Sequence, residues 1–113
     1  MQHSGDVVDF DLGLPEGREA GFRHPAIVVT AQRILDAGPT VVHVVPLTTT
    51  VRAFNSEVIV EPDGANGLGQ SSAAQCQHIR SISTKRILAT RGNVGVVTLG
   101  QLRETIAVIL DLP

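Results

Sequence analysis

FRHPAIVVTAQRILDAGPTVVHVVPLTTT, residues 22–50, decides the fold. Its two apolar runs, Pro25–Thr30 and Thr40–Leu47, are rich in Val and Ile, too short for core helices, and read as buried strands. Ala31–Pro39 between them holds about one and a half helical turns, with Ile34 and Leu35 inward and Gly38-Pro39 as the stop. If the strands are antiparallel neighbours, the start of one lies beside the end of the other. Arg23 and His24 then meet Thr48, Thr49 and Thr50 at one rim of a rigid sheet. A guanidinium, an imidazole and a hydroxyl gathered there can hold and attack a phosphodiester.

The remaining sequence is consistent with one small domain spanning residues 1–113. Hydrophobic residues make up 42% and charged residues 18%, so an ordinary globular core is available. With three Phe and no Trp or Tyr the core must be aliphatic, and an aromatic sheet platform for stacking bases is not available. The lone Cys76 excludes an internal disulfide and a multi-Cys metal site and fits a reducing compartment. No charged apolar leader opens the chain and no apolar run approaches ~18 residues. The expectation is a cytoplasmic protein with no membrane association. A net charge of −2 argues against an indiscriminate polyanion binder. It hides an asymmetry: acids crowd the amino end, whereas Arg80, Lys85, Arg86 and Arg91 lie in a segment with no acid between them. That segment is either a solvated patch or a polyanion-binding groove.

Along the chain, residues 1–4 are expected to fray. Gly5–Leu12 alternates, with Val8, Phe10 and Leu12 on one face, as in a half-exposed strand. Gly13–Phe22 reads as a long loop whose charged tip, Glu16, Arg18 and Glu19, either closes over a ligand or is a plain exposed connection. Glu57–Glu61 is a short alternating strand, and Pro62–Gln70 is the most turn-rich segment. The three glycines of that segment lack the Lys-Ser/Thr of a phosphate-cradling loop and any dinucleotide spacing. Ser71–Ile79 is small and polar, and Ile79 and Ile82 belong to a strand with a break near Ser83. Thr84–Ile87 reads as a turn and Gly92–Val97 as a strand. A C-terminal helix then starts at Thr98, which forms a capping box with Gln101. Leu99, Leu102, Ile106 and Ile109 would be its core face. The sum is a small curled antiparallel sheet with a helix laid across it.

No metal or other cofactor is expected: His3, His24, His43 and His78 have no paired spacing, and there is no H-x-x-x-H or C-x-x-C. A Ser nucleophile lacks its G-x-S-x-G elbow. Cys76, flanked by Gln75 and Gln77, reads as a buried inert thiol, and His43 as a core or dimer-surface histidine.

GDVVDFDLGLPEGREAGFRHPAIVVT, VVPLTTTVRAFNSEVIV and AAQCQHIRSIS resemble, in order, three sequence blocks of the MazF/PemK/Kid toxin family, in an actinobacterial-looking variant. The resemblance covers nearly the whole chain. It implies a mainly β, α+β fold with a C-terminal helix, the SH3-like barrel of the Kid/MazF/CcdB toxins. It also implies a homodimer, metal-independent cleavage of single-stranded RNA such as mRNA, and a MazE-like cognate antitoxin whose acidic tail fills the RNA groove. The family's catalytic pair is the Arg before Pro and the Thr after Pro-x. Thr48 matches, but the chain has Arg23-His24-Pro25, so His24 stands at the Arg position with Arg23 one residue earlier. His78 likewise stands where the third block usually has Gln.

Cleavage of RNA by its own 2′-hydroxyl requires a proton acceptor, a cation for the phosphorane charge and a proton for the leaving 5′-oxygen. The expected assignment is Arg23 for charge, His24 for proton transfer and Thr48 for orientation, with a 2′,3′-cyclic phosphate product. The expected RNA-contacting set is Arg18, Thr49, Arg52, His78, Arg80, Lys85 and Arg86. Two alternatives keep the fold: a CcdB-like toxin that binds gyrase without cleaving RNA, and an inactive family member, for which His24 at the Arg position is the best argument.

Overall fold

A computed structural model describes residues 1–11 and 23–113. The elements are β1 (Asp6–Asp11), β2 (Arg23–Val28), α1 (Gln32–Leu35), β3 (Val41–Thr48), β4 (Glu57–Val60), β5 (Ser72–Gln75), β6 (Arg80–Ser83), β7 (Ile87–Asn93) and α2 (Gly95–Ile109). Single 3₁₀ turns at Cys76–His78 and Thr84–Arg86 lead into β6 and β7. Every strand pair is antiparallel, in the order β4-β5-β3-β2-β1-β7. Strand β3 keeps β2 along one edge; along the other it pairs with β6 through Val41–Val44 and with β5 through Leu47–Thr48. A strand that changes partner midway forces the sheet to curl, and β6, β3, β2, β1 and β7 wrap into a barrel-like layer.

The two faces of that layer carry separate cores, as the period of two along a strand requires. Val8, Phe10, Ala26, Val28, Val42, Val44 and Ile82 fill one side with Leu35 of α1. Val7, Ile27, Val45 and Leu47 face the other, where β4, β5 and the Leu99–Leu102 side of α2 cover them. Where both faces are buried, over residues 26–28 of β2 and 44–47 of β3, the apolar runs are continuous, whereas Val41–Val44 alternates.

The pairing of the two expected strands is present, and the carboxyl-terminal region departs from the sequence reading. The strand expected at Gly92–Val97 lies at Ile87–Asn93, and the helix starts at Gly95 instead of Thr98. No capping box forms at Thr98. The Asn93 side chain accepts from the Gly95 N–H at 2.8 Å, so the cap lies one turn earlier. Gly95 has φ +83°, which lets the chain leave β7 and enter the helix abruptly. Leu99 and Leu102 are buried and Ile106 packs against them, whereas Ile109 is exposed. Nor is the amino end loose: Ser4 donates its N–H to Gln32 Oε1 at 2.9 Å, and Asn93 Nδ2 donates to the Ser4 carbonyl at 3.0 Å.

The turn-rich 62–70 segment has a structural task. Asn66 is buried, donates to the Glu61 carbonyl at 2.8 Å and accepts from Leu68 N at 3.0 Å. This folded loop lies on β7, where Asn93 N donates to the Ala65 carbonyl at 2.9 Å. A Cβ on Gly92 would stand 2.2 Å from that same carbonyl oxygen. Gly92→Ala therefore has to push the loop off β7. We expect a loss of about 1–3 kcal/mol, read as a lower urea midpoint. Gly64→Ala, whose Cβ would meet nothing within 4 Å, should change stability far less.

Candidate active site

The β2–β3 register pairs Ala26 with Pro46 and Val28 with Val44, and its continuation sets His24 across from Thr48. Both fall on the face that carries Phe10, Ala26 and Val44. His24 is half-buried, and its ring meets the Phe10 ring edge-on, centroids 5.9 Å apart. Arg80, brought in by β6 opposite Val44, lies over the same Phe10 ring at 5.6 Å. Phe10 thus plugs one mouth of the barrel, with an imidazole and a guanidinium resting on it. Burial lowers the His24 pKa below its ordinary value. A hydrogen bond to the Leu47 backbone opposes the shift, and the charge of Arg80 adds to it. These surroundings favour the neutral imidazole.

Arg23 does not join them. Adjacent residues of a strand project to opposite faces, and Arg23 extends toward Asp9, 3.9 Å away. Asp9 is buried and already holds Arg91, whose Nε donates at 3.1 Å. Arg91 Nη2 also comes within 2.8 Å of Asp9 Oδ1 in an ion-pair contact that is not aligned as a hydrogen bond. The Arg23-His24 pair that the sequence places side by side is split by the sheet.

Thr48 ends β3, and its hydroxyl accepts from Thr50 N at 3.1 Å, so Thr49 and Thr50 turn outward at the rim. The connection to β4 is fixed from below by Glu57, which the sequence reading treats as an ordinary strand residue. Its carboxylate is fully covered and accepts from Gln77 Nε2 at 2.7 Å, Arg52 Nη2 at 3.3 Å and Gln75 Nε2 at 3.4 Å. The Gln77 bond does most to hold the Glu57 pKa below the ordinary carboxylate value, against the burial that raises it; Gln75 and Arg52 add to the lowering. Arg52, pinned at one end, stacks over the exposed Phe54 ring at 4.8 Å. Within this turn Ala53 has φ +55°. Only the burial of a strand-start Glu, three residues after an exposed Phe, distinguishes this anchor, and no sequence pattern signals it.

The other expected RNA contacts are distributed as follows. His78 is exposed at the end of its 3₁₀ turn. Lys85 and Arg86 are exposed on the turn that enters β7 at Ile87, and Ile87 pairs with Phe10. Arg80, Lys85 and Arg86 therefore follow the barrel mouth, while Arg18 and its loop lie outside the described residues. Cys76 is buried, its Sγ 3.9 Å from the Leu102 carbonyl, and burial pushes its thiol up to about 11. Among the described residues no three His, Cys, Asp or Glu side chains gather as a metal site.

With this geometry in place, residues 3–110 match the family model of the PemK-like, MazF-like toxin of type II toxin–antitoxin systems. The chain belongs to that family. It is 33% identical over 116 residues to the protein named Endoribonuclease MazF9 of Mycobacterium tuberculosis, covering 99% of this chain and 98% of that one. The fold matches the Mycobacterium tuberculosis toxin MazF-mt6 with a TM-score of 0.76 at 26% identity, over 96% of this chain and 98% of the other. A mycobacterial endoribonuclease solved in complex with its cognate antitoxin superposes with a TM-score of 0.78 at 22% identity, over 100% and 98% of the two chains. The α+β, barrel-like toxin fold expected from the sequence is therefore the fold present.

Glu57 gives this site a pH signature in stability. Its folded-state pKa is depressed, so its contribution is fully present above the unfolded value near ~4.3 and is lost as pH falls through the folded value. Urea midpoints measured from pH 7 down to pH 3 should fall in the wild type across that window. Glu57→Gln should be less stable at pH 7 and should lack this part of the slope.

Proposed function

We propose that the protein is the toxin of a type II toxin–antitoxin pair and a metal-independent endoribonuclease acting on single-stranded RNA in the cytoplasm. The observation that carries the reading is the β2–β3 register, whose continuation brings the His24 end of β2 to the Thr48 end of β3, with the exposed Arg80 on the same Phe10 ring as His24. Family membership and the name of the mycobacterial relative support the reaction class. His24, in its neutral form, takes the proton of the 2′-hydroxyl as that oxygen bonds to phosphorus. The Thr48 hydroxyl donates to a phosphoryl oxygen. The bond from phosphorus to the 5′-oxygen breaks, the 5′-oxygen takes up a proton from solvent at the open rim, and the other fragment ends in a 2′,3′-cyclic phosphate. No electron transfer or co-reactant is involved. A permanently charged Arg at position 24 would serve only as a cation. The imidazole can also accept the proton.

Partner proteins follow from the same surface. A carboxylate-rich antitoxin segment laid along Arg80, Lys85 and Arg86 would compete with RNA; the mycobacterial neighbour solved with its cognate antitoxin supports an antitoxin as partner. A second copy of the chain is the other partner. Val96, Val97 and Val108 of α2 are 86%, 73% and 81% exposed, an apolar display that association would cover. Light scattering at micromolar concentration should give the mass of a dimer, and a monomer mass would count against it.

Purified protein should cut a long single-stranded RNA in EDTA and leave cyclic phosphate ends. His24→Ala should lower the rate ~10²–10⁴-fold and remove the acidic limb of the pH profile, which in the wild type rises through a pKa below 6.5. Thr48→Ala should cost ~10²–10³-fold in kcat. Cleavage lost in EDTA and restored by one divalent ion would overturn the metal-independent reading. Gyrase inhibition without RNA cleavage would replace it with the binding-toxin alternative.

A further inference from the structure

Cleavage at this rim, if His24 is the base, leaves one role unfilled. The attacked phosphate gains charge in the transition state, and a neutral imidazole does not neutralise it. Arg23, adjacent in sequence, extends to the far face toward Asp9. Arg91 faces that way too, bound to the same carboxylate. Arg52 is tied to Glu57 of β4, three strands away from β2 and His24. Among the described residues, the guanidinium resting on the His24 face is that of Arg80.

Resting on the reading of His24 and Thr48 given above, we propose that Arg80 is the catalytic cation of this protein, and that Arg80 and His24 divide between them the work of one guanidinium. Three features of the structure support this. First, β6 pairs with β3 so that Arg80 is opposite Val44, on the parity that continues along β3 to Thr48. Second, Phe10 positions both groups: the Arg80 Cζ lies 5.6 Å and the His24 ring 5.9 Å from the centre of the same buried ring. A fully buried Phe in a packed core is a rigid support, so neither group has to be ordered when RNA arrives. Third, Arg80 makes no ion pair within 4.0 Å among the described residues, in contrast to Arg23, Arg52 and Arg91. Its charge is available to a phosphate instead of being neutralised by a carboxylate.

Among the described residues, the groups facing His24 are few. Phe10 comes from β1, Thr48 and the Leu47 backbone from β3, and Arg80 from β6; Asp9 and Asp11 of β1 have the opposite parity. The Arg80 charge is felt by the imidazole, which it disfavours in the protonated form. One cation thus does two things: it draws in the phosphate and adds to the burial that disfavours protonation of the adjacent base.

The test reads both effects. Cleavage is measured over a range of RNA concentrations up to saturation and across pH 5–8 for wild type, Arg80→Met, Arg80→Lys and Arg23→Ala, with the His24 titration followed by NMR on the protein alone. Arg80→Met should lower kcat on the order of 10²-fold, and should move both the acidic limb and the His24 titration to higher pH. Arg80→Lys, which retains the charge but not the bidentate fork, should keep the limb near its wild-type position and recover part of the rate. Arg23→Ala should move neither the limb nor the titration. If Arg80→Met raises KM alone, with kcat and the His24 titration unchanged, Arg80 merely grips RNA and the proposal is overturned. A wild type that never cleaves RNA would instead defeat the endoribonuclease reading. Retained thermal stability in Arg80→Met, together with activity in Arg80→Lys, excludes misfolding as the cause of any loss.

Discussion

Strand β3 has two buried faces and three strand partners, and the molecule is arranged to satisfy both conditions. Val42 and Val44 must meet the barrel core while Val45 and Leu47 meet α2 and the β4–β5 pair. A shift of one residue in the β2–β3 register would exchange those faces and strand apolar groups on the wrong side. The same register therefore fixes which polar residue appears at the end of each row. Thr48 continues the row of Val42 and Val44, and His24 continues the row of Ala26 and Val28. The site is the point where two core rows run out of apolar residues, and its geometry is only as variable as the packing beneath it.

Charge is treated differently on the two faces. On the Asp9 face, Arg91 and Arg23 converge on one buried carboxylate, which binds β7 and β2 to β1. Beneath the β3–β4 connection, Glu57 gathers an Arg and two Gln amides. These clusters are structural, because a covered carboxylate requires partners and holds them firmly. At the barrel mouth the pattern reverses: cations lie over an aromatic ring and along an exposed turn, and no carboxylate pairs with Arg80 among the described residues. Arginines close together in sequence thus end in different electrostatic settings.

The convergence of residues 23–24 with residue 48 was legible from two short Val/Ile runs and the Gly38-Pro39 stop between them, since an antiparallel pair has few other ways to close. The face taken by each of Arg23 and His24 was not. Residues 26–30 are all buried, so no alternation in the apolar run shows which parity points to which core. The helix start was misplaced for a related reason. Thr98 and Gln101 have the spacing of a capping box, but the Asn93 side chain claims the free Gly95 N–H first, one turn upstream. Strand β7 was read late because ILATRGN has no clean alternation, and two register irregularities against β1 break its pattern. Glu57 was invisible because a Glu opening a strand is ordinarily solvated; here Gln75 and Gln77 of a distant segment close over it.

The loop at 62–70 that lies on β7 also bears on solubility. An open sheet has two terminal strands, each a row of unpaired backbone groups that invites another chain to add on. In this order the terminal strands are β4 and β7, and β6, four residues long and paired only with β3 among the described residues, leaves a third edge. Strand β4 is only four residues long, which offers little template. Strand β7 is longer, but the Ala65 carbonyl occupies the Asn93 N–H, and the backbone of residues 65–67 packs directly on Arg91 and Gly92. Gly92 and Gly67 allow that close contact, so the carboxyl-terminal end of this edge is covered by the chain's own backbone. The template left for edge-to-edge assembly is shortened accordingly.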